Sequence, residues 1–191
     1  KSIVIGYNWR EEPETNSTDK PEGYRKSQRL MDMAETFKKP FIVFIDIPQY
    51  HILQPPLQQQ RDRAMVQSLI KISHLKTPTI SVIVGKSNRM HVFDLCATDR
   101  VLMLDNSKCF LSSVYTNKYN KSSQLKAQDM MEMGIVNKIV KFFPDNQQLT
   151  SNAIRQALLE ELNELSQFNL DELVQQRVKK LQYRFRVFCN Q

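Results

Sequence analysis

The chain has 191 residues, 41% hydrophobic and 25% charged, with four glycines and eight prolines. That suits one globular domain with a real core and excludes collagen-like, low-complexity and disordered classes. A formal charge of +7 admits nucleic acid, an anionic ligand or an acidic partner.

The basic residues are spread out, with no aromatic-interleaved stripe. The densest cluster, RVKKLQYRFRVF near the C-terminus, reads as a solvated helix face, so a nucleic-acid-binding module has only charge behind it. Cys96, Cys109 and Cys189 are far apart, odd in number and without metal spacing, which marks reduced thiols and predicts no metal site. No run approaches a membrane helix and no signal peptide is visible, so a cytoplasmic or organelle-stromal location is expected. The sequence opens at Lys1 without a methionine, which leaves room for residues upstream.

In chain order, Ser2 to Tyr7 is a β-prone run, and residues 9–22 are a polar loop rich in turn formers. A helix is predicted from Pro21, with Leu30, Ala34 and Phe37 on one face, ending at Lys38-Lys39-Pro40. Phe41 to Ile45 is a continuous apolar run, as in a strand buried on both faces. A second helix is predicted over Leu57 to Leu75, with Met65, Leu69 and Ile72 on one face. Ile80 to Val84 is the next strand. It reaches Gly85, then a polar loop of residues 86–91 (KSNRMH), a short helical pattern, and a returning strand over Val101 to Leu104.

Further strands are predicted over Phe110 to Val114 and Ile135 to Val140. Between them Gln124 to Met133 reads as a helix with Gly134 beyond its end. The tail is helical: Ile154, Leu158, Leu162 and Leu165 form one stripe, and Val174, Val178 and Leu181 another. Asn169 and Glu172 have the spacing of a capping box. Strands alternating with helices predict an α/β fold with mostly parallel pairing. The expected organisation is one domain over 1–191, with a core of residues 1–147 and C-terminal helices over 148–191.

Several stretches resemble one family, the α subunit of the bacterial or plastid-type acetyl-CoA carboxylase carboxyltransferase. Pro21-Glu22-Gly23-Tyr24-Arg25-Lys26, followed by Arg29-Leu30-Met31, resembles that family's PEGYRKALRLM. Phe44-Ile45-Asp46 with Pro48 resembles FIDTPGAYPG, Leu75-Lys76 with Pro78 resembles LKVP, and Asp99 to Leu104 resembles DRVLML. Met133-Gly134-Ile135-Val136, Leu170-Asp171-Glu172-Leu173, and Arg177 with Tyr183 to Arg186 match its closing segments. The family's N-terminal helical segment has no counterpart here. The resemblance implies a crotonase-like fold of stacked ββα units, carboxyl transfer from carboxybiotin to acetyl-CoA, and a β-type partner subunit. A biotin carrier protein, an acyl thioester or a second copy of the chain are the other partners it implies, in a cytoplasm or plastid stroma.

The departures fall on the family's glycine-rich loops. Where the family has P-G-A-Y-P-G, this chain has Pro48-Gln49-Tyr50-His51-Ile52-Leu53. Where the family has G-E-G-G-S-G-G, it has Gly85-Lys86-Ser87-Asn88-Arg89-Met90-His91, keeping the first glycine only. Such glycines let backbone N–H groups approach an oxyanion closely, and losing one donor costs ~10²–10³ in rate. The expectation is therefore a catalytically impaired structural or regulatory subunit of fatty-acid synthesis, with no cofactor bound by the chain itself. Gln49, Tyr50, Gly85, Lys86, Ser87, Asn88 and Met90 mark the altered ligand loops. The alternative is a repurposed crotonase-fold enzyme acting on an acyl thioester, with His51 or His91 as base and Arg89 binding a carboxylate or phosphate.

Overall fold

The structure, a computed structural model, describes residues 1–8, 21–47, 55–88, 96–110 and 124–189. Five parallel strands form the main sheet in the order β1 (Ile3–Asn8), β2 (Phe41–Asp46), β3 (Thr79–Ile83), β5 (Arg100–Leu104) and β8 (Lys138–Val140). A smaller sheet joins β4 (Lys86–Asn88), β6 (Lys108–Phe110) and β7 (Gln124–Lys126), with β4 parallel and β7 antiparallel to β6. The helices are α1 (Pro21–Thr36), α2 (Leu57–His74), α3 (Ala127–Glu132), α4 (Gln147–Leu165) and α5 (Leu170–Cys189).

The continuous apolar runs follow from burial on both sheet faces. Phe41, Val43, Ile45, Ile83, Val101 and Met103 share one core with Met31 and Ala34 of α1, Ile72 of α2 and Met130 of α3. Ile42, Ile80, Val82, Leu102, Leu104 and Val140 share the other with Ala157 and Leu165 of α4 and Leu173 of α5. The expected stripe Ile154, Leu158 and Leu162 packs half-buried against that second core.

Several local expectations need correction. Residues 86–88 are a strand rather than the start of a loop, because they pair with β6. Of the strand expected over Phe110 to Val114 only Phe110 is described, as the last residue of Lys108–Phe110; residues 111–123 lie outside the described ones. The predicted helix from Gln124 begins as strand β7, and the strand from Ile135 is limited to Lys138–Val140. Phe37 is exposed, because Lys38 in the left-handed region (φ 51°) ends α1 ahead of Pro40.

On α2, Ile72 is buried and Leu69 packs half-buried against the same core, as expected, and the buried row also takes in Arg61, Ala64 and Ser68. α1 approaches that row closely: Gln28 Nε2 donates to Ala64 O at 2.9 Å and to Ser68 Oγ at 3.0 Å. Gly134 does follow α3 at φ 70°, its N–H donating to Met131 O. Asn169 Oδ1 accepts from Glu172 N at 2.8 Å, completing the expected cap of α5.

Candidate functional site

In a parallel α/β sheet, chemistry is usually housed at the carboxyl ends of the strands, and the opposite ends carry structure. At the amino ends the chain is closed by α5. Arg177, fully buried, donates Nε to Asp99 Oδ1 at 2.9 Å and Nη2 to Asp99 Oδ2 at 2.8 Å. Its remaining N–H groups reach Ile72 O and Leu75 O, both at 2.8 Å, and Thr77 O at 3.0 Å. Asp99 Oδ2 also accepts from Thr79 N at 2.8 Å and Thr79 Oγ1 at 2.9 Å. Every guanidinium donor is thereby used, which is the condition under which a buried ion pair is tolerated.

Around this pair, Arg100 Nε binds Glu161 at 2.9 Å, buried Arg184 donates Nη1 to Cys96 O, and Lys180 Nζ donates to Asp99 O at 3.0 Å. Burial, reinforced by the charges of Arg100 and Arg184, pushes the Lys180 ammonium down to about 8, with Asp99 and Glu161 pulling the other way. Cys96 is a buried thiol.

At the carboxyl ends, β2 stops at Asp46 and β3 runs into Val84 and Gly85. Asp46 Oδ1 accepts the Lys86 N–H at 2.9 Å. The carboxylate lies over Gly85 so closely that an added Cβ would be 2.1 Å from Oδ1 and 2.5 Å from the carboxyl carbon. Any larger residue here would have to displace the Asp46 carboxylate from its place over the backbone. Ile47 N donates to Lys86 O at 2.8 Å, and Lys108 N to Gly85 O at 3.2 Å.

Ser87 is fully buried beside Cys109, whose thiol is pushed up to about 11 by burial, the Ser87 hydrogen bond acting the other way. The Lys86 side chain is exposed. The Gly85 carbonyl and both backbone groups of Lys86 are thus committed to the protein's own groups, and the Lys86 N–H is not free to meet a bound oxyanion.

The bond between residues 47 and 86 means that the two altered segments leave the scaffold from adjacent points. Gln49, Tyr50, His51, Arg89, Met90 and His91 themselves lie outside the described residues, as does the side chain of Asn88. Among the described residues, no three His, Cys, Asp or Glu side chains are grouped to hold a metal ion. No described helix is long and apolar enough to cross a membrane. The partnership of Asp46 with residues 85 and 86 was not visible in the sequence. Its one signal was that Gly85 alone kept its place among the family's loop glycines.

A five-stranded parallel main sheet with a smaller sheet beside it and helices connecting the strands is the fold of the crotonase-like class. A crystal structure of a Pseudomonas malonate decarboxylase hetero-tetramer in complex with coenzyme A superposes with a TM-score of 0.73 at 10% identity. The match covers 92% of this chain and 78% of that one, and shows shared fold. Within the class, the model of the acetyl co-enzyme A carboxylase carboxyltransferase-like family matches residues 6–184, and the chain belongs to that family.

The acetyl-coenzyme A carboxylase carboxyl transferase subunit alpha of Clostridium botulinum is 29% identical over 94% of this chain and 72% of its own length. A Clostridium tetani protein named for subunits beta/alpha is 29% identical over 84% of this chain, which spans only 31% of it.

Proposed function

We propose that this protein is an α-type carboxyltransferase subunit that keeps the family's scaffold but has weakened or lost carboxyl transfer, and that it serves as a structural or regulatory partner of a β-type subunit. The observation that carries this reading is an asymmetry. The family's residues Asp99, Arg100 and Arg177 meet in one hydrogen-bonded network at the amino ends of the strands, with buried Arg184 donating to Cys96 O beside it. The family's glycines are replaced at the carboxyl ends, where Gly85 survives because Asp46 packs on it.

Transfer from carboxybiotin to an acyl-CoA needs donors aimed at a developing oxyanion. The described part of this site supplies none at Lys86, whose N–H is held by Asp46. No catalytic step is therefore assigned to these residues.

The test is reconstitution of the full chain with a β-type subunit, biotin carrier protein and acetyl-CoA, measuring malonyl-CoA. Turnover at least ~10²-fold below that of a glycine-rich α subunit is expected, from the usual cost of a lost oxyanion donor. Turnover at the level of a glycine-rich subunit would overturn the reading. So would acyl-thioester chemistry that disappears in His91→Ala.

A further inference from the structure

The two faces of the main sheet are covered unequally at its β1 edge. Ile3 and Ile5 pack against the first core, under α1. Val4 and Gly6 alternate with them and so belong to the second face. Val4 is 51% exposed, and a Cβ added at Gly6 would meet nothing within 4 Å. Helix α4 covers Ile80, Val82 and Leu102 on that face and stops short of β1.

Between α4 and this sheet edge lies a trough of about 380 Å³, within the size range of small-ligand sites. Ile42 and Phe44 of β2 form its floor, and Ile154, Leu158, Leu159 and Leu162 of α4 form its wall. Leu162 follows Glu161, which binds Arg100 at the start of β5, so that end lies with Ser2 at the amino ends of the strands. Ser151 and Arg155 border the other end. From Ser151 to Leu162 the helix wall is ~16 Å long, at 1.5 Å per residue.

Arg155 is the single charged residue among those described around the trough. The residues one turn from it along α4 are Ser151, Asn152, Leu158 and Leu159, none of them acidic. Among the described residues it has no ion pair. The trough is thus apolar along its length and cationic toward one end.

Size and polarity select among occupants. A helix ~10 Å across, laid along ~16 Å, would need over ~1,000 Å³, which the trough does not offer. An extended peptide would turn backbone N–H and C=O groups onto apolar side chains, with two hydroxyls and one guanidinium to meet them. A second copy would present the same hollow across a two-fold axis, and two hollows do not fill each other. An aliphatic chain has no polar groups to satisfy, and a terminal carboxylate matches the donor fork of a guanidinium.

We propose that this trough binds a fatty acid, with the aliphatic chain along Leu158, Leu159 and Leu162 over Ile42 and Phe44 and the carboxylate on Arg155. The site requires neither a β-type subunit nor carboxyl transfer, so it stands apart from the function proposed above.

The experiment titrates the full chain with dodecanoate below its micelle concentration, using calorimetry. Decanoate, dodecanol, dodecylamine and dodecanoyl-coenzyme A are compared. Arg155→Glu and Leu159→Asp both lie at exposed positions, and unchanged thermal melts will verify that they fold. Dodecanoate is expected to bind up to about tenfold more tightly than decanoate, from two more buried methylenes. Arg155→Glu should weaken dodecanoate by about tenfold or more and strengthen dodecylamine. Leu159→Asp should weaken both by about tenfold or more, since it sets a charge beside the chain.

No binding of dodecanoate to wild type would overturn the proposal, as would binding that neither variant changes. Dodecanol binding as tightly as dodecanoate would remove Arg155 from the site. Tighter binding of dodecanoyl-coenzyme A would make a thioester the ligand and overturn the choice of the free acid. Self-association that Leu159→Asp abolishes and dodecanoate does not compete would show that a second copy covers the trough.

Discussion

The two ends of the main sheet are built to opposite rules. At the amino ends a long side chain from the last helix reaches into the protein, and each of its donors finds an acceptor. At the carboxyl ends a short carboxylate holds one backbone N–H and sits against a glycine, and the segments that follow are those whose residues depart from the family. Residues retained at the first end are explained by stability alone, since a buried charge leaves no neutral substitute at one position. On the function proposed above, the glycines lost at the second end were required by a ligand rather than by the core. Retention of family words in a sequence is thus evidence for architecture, and evidence for chemistry only where the words touch the site.

The most severe way to break this contrast is Arg177→Ala. It strands the Asp99 carboxylate in the interior and frees three carbonyls, and should destabilise the protein by about 3–5 kcal/mol. Urea unfolding followed by circular dichroism measures it. A loss below about 1 kcal/mol would mean that the amino-end network is not what closes the fold.

Gly85→Ala tests the other end. The new Cβ must displace the Asp46 carboxylate and release the Lys86 N–H, for an expected loss of about 1–3 kcal/mol. Asp46→Gly in the same chain should recover part of that loss, and the double-mutant cycle isolates the contact. Additive losses would show that the two residues do not oppose each other.

The smallest effect is expected from Lys180, and it is a dependence on pH. Its folded value of about 8 lies below the ordinary 10.5. Below pH 8 the ammonium is charged in both folded and unfolded states, and the cost of burying it is fully present. Between about 8 and 10.5 the folded form releases its proton first, so wild type should gain stability with rising pH. Lys180→Met should be more stable than wild type at pH 7, and the gap should narrow across that window in thermal melts. A gap independent of pH would place Lys180 in water.

Strands β2, β3 and β5 were legible because burial on both faces turns them into unbroken apolar runs. The capping box at Asn169 and Glu172 and the Gly134 stop were legible because each is made within one turn of chain. Strand β4 was not, since Lys86-Ser87-Asn88 is polar and exists as a strand only through its pairing with β6. The buried row of α2 was legible only at Ile72, because it also contains an arginine and a serine, and the close approach of α1 is made by hydrogen bonds that apolar periodicity does not register.

Of the site, the sequence by itself determined the family, the fold class and the two stretches where the glycines are gone, since these depend on residue identity and order. Tertiary structure alone decided that Asp46 and Gly85, 39 positions apart in the chain, confront each other, and that Arg177 crosses to Asp99. The reason is that adjacent parallel strands are separated in sequence by a whole helix, so contacts across their ends carry no local spacing. Which donors are spent and which remain for a ligand is a property of those contacts.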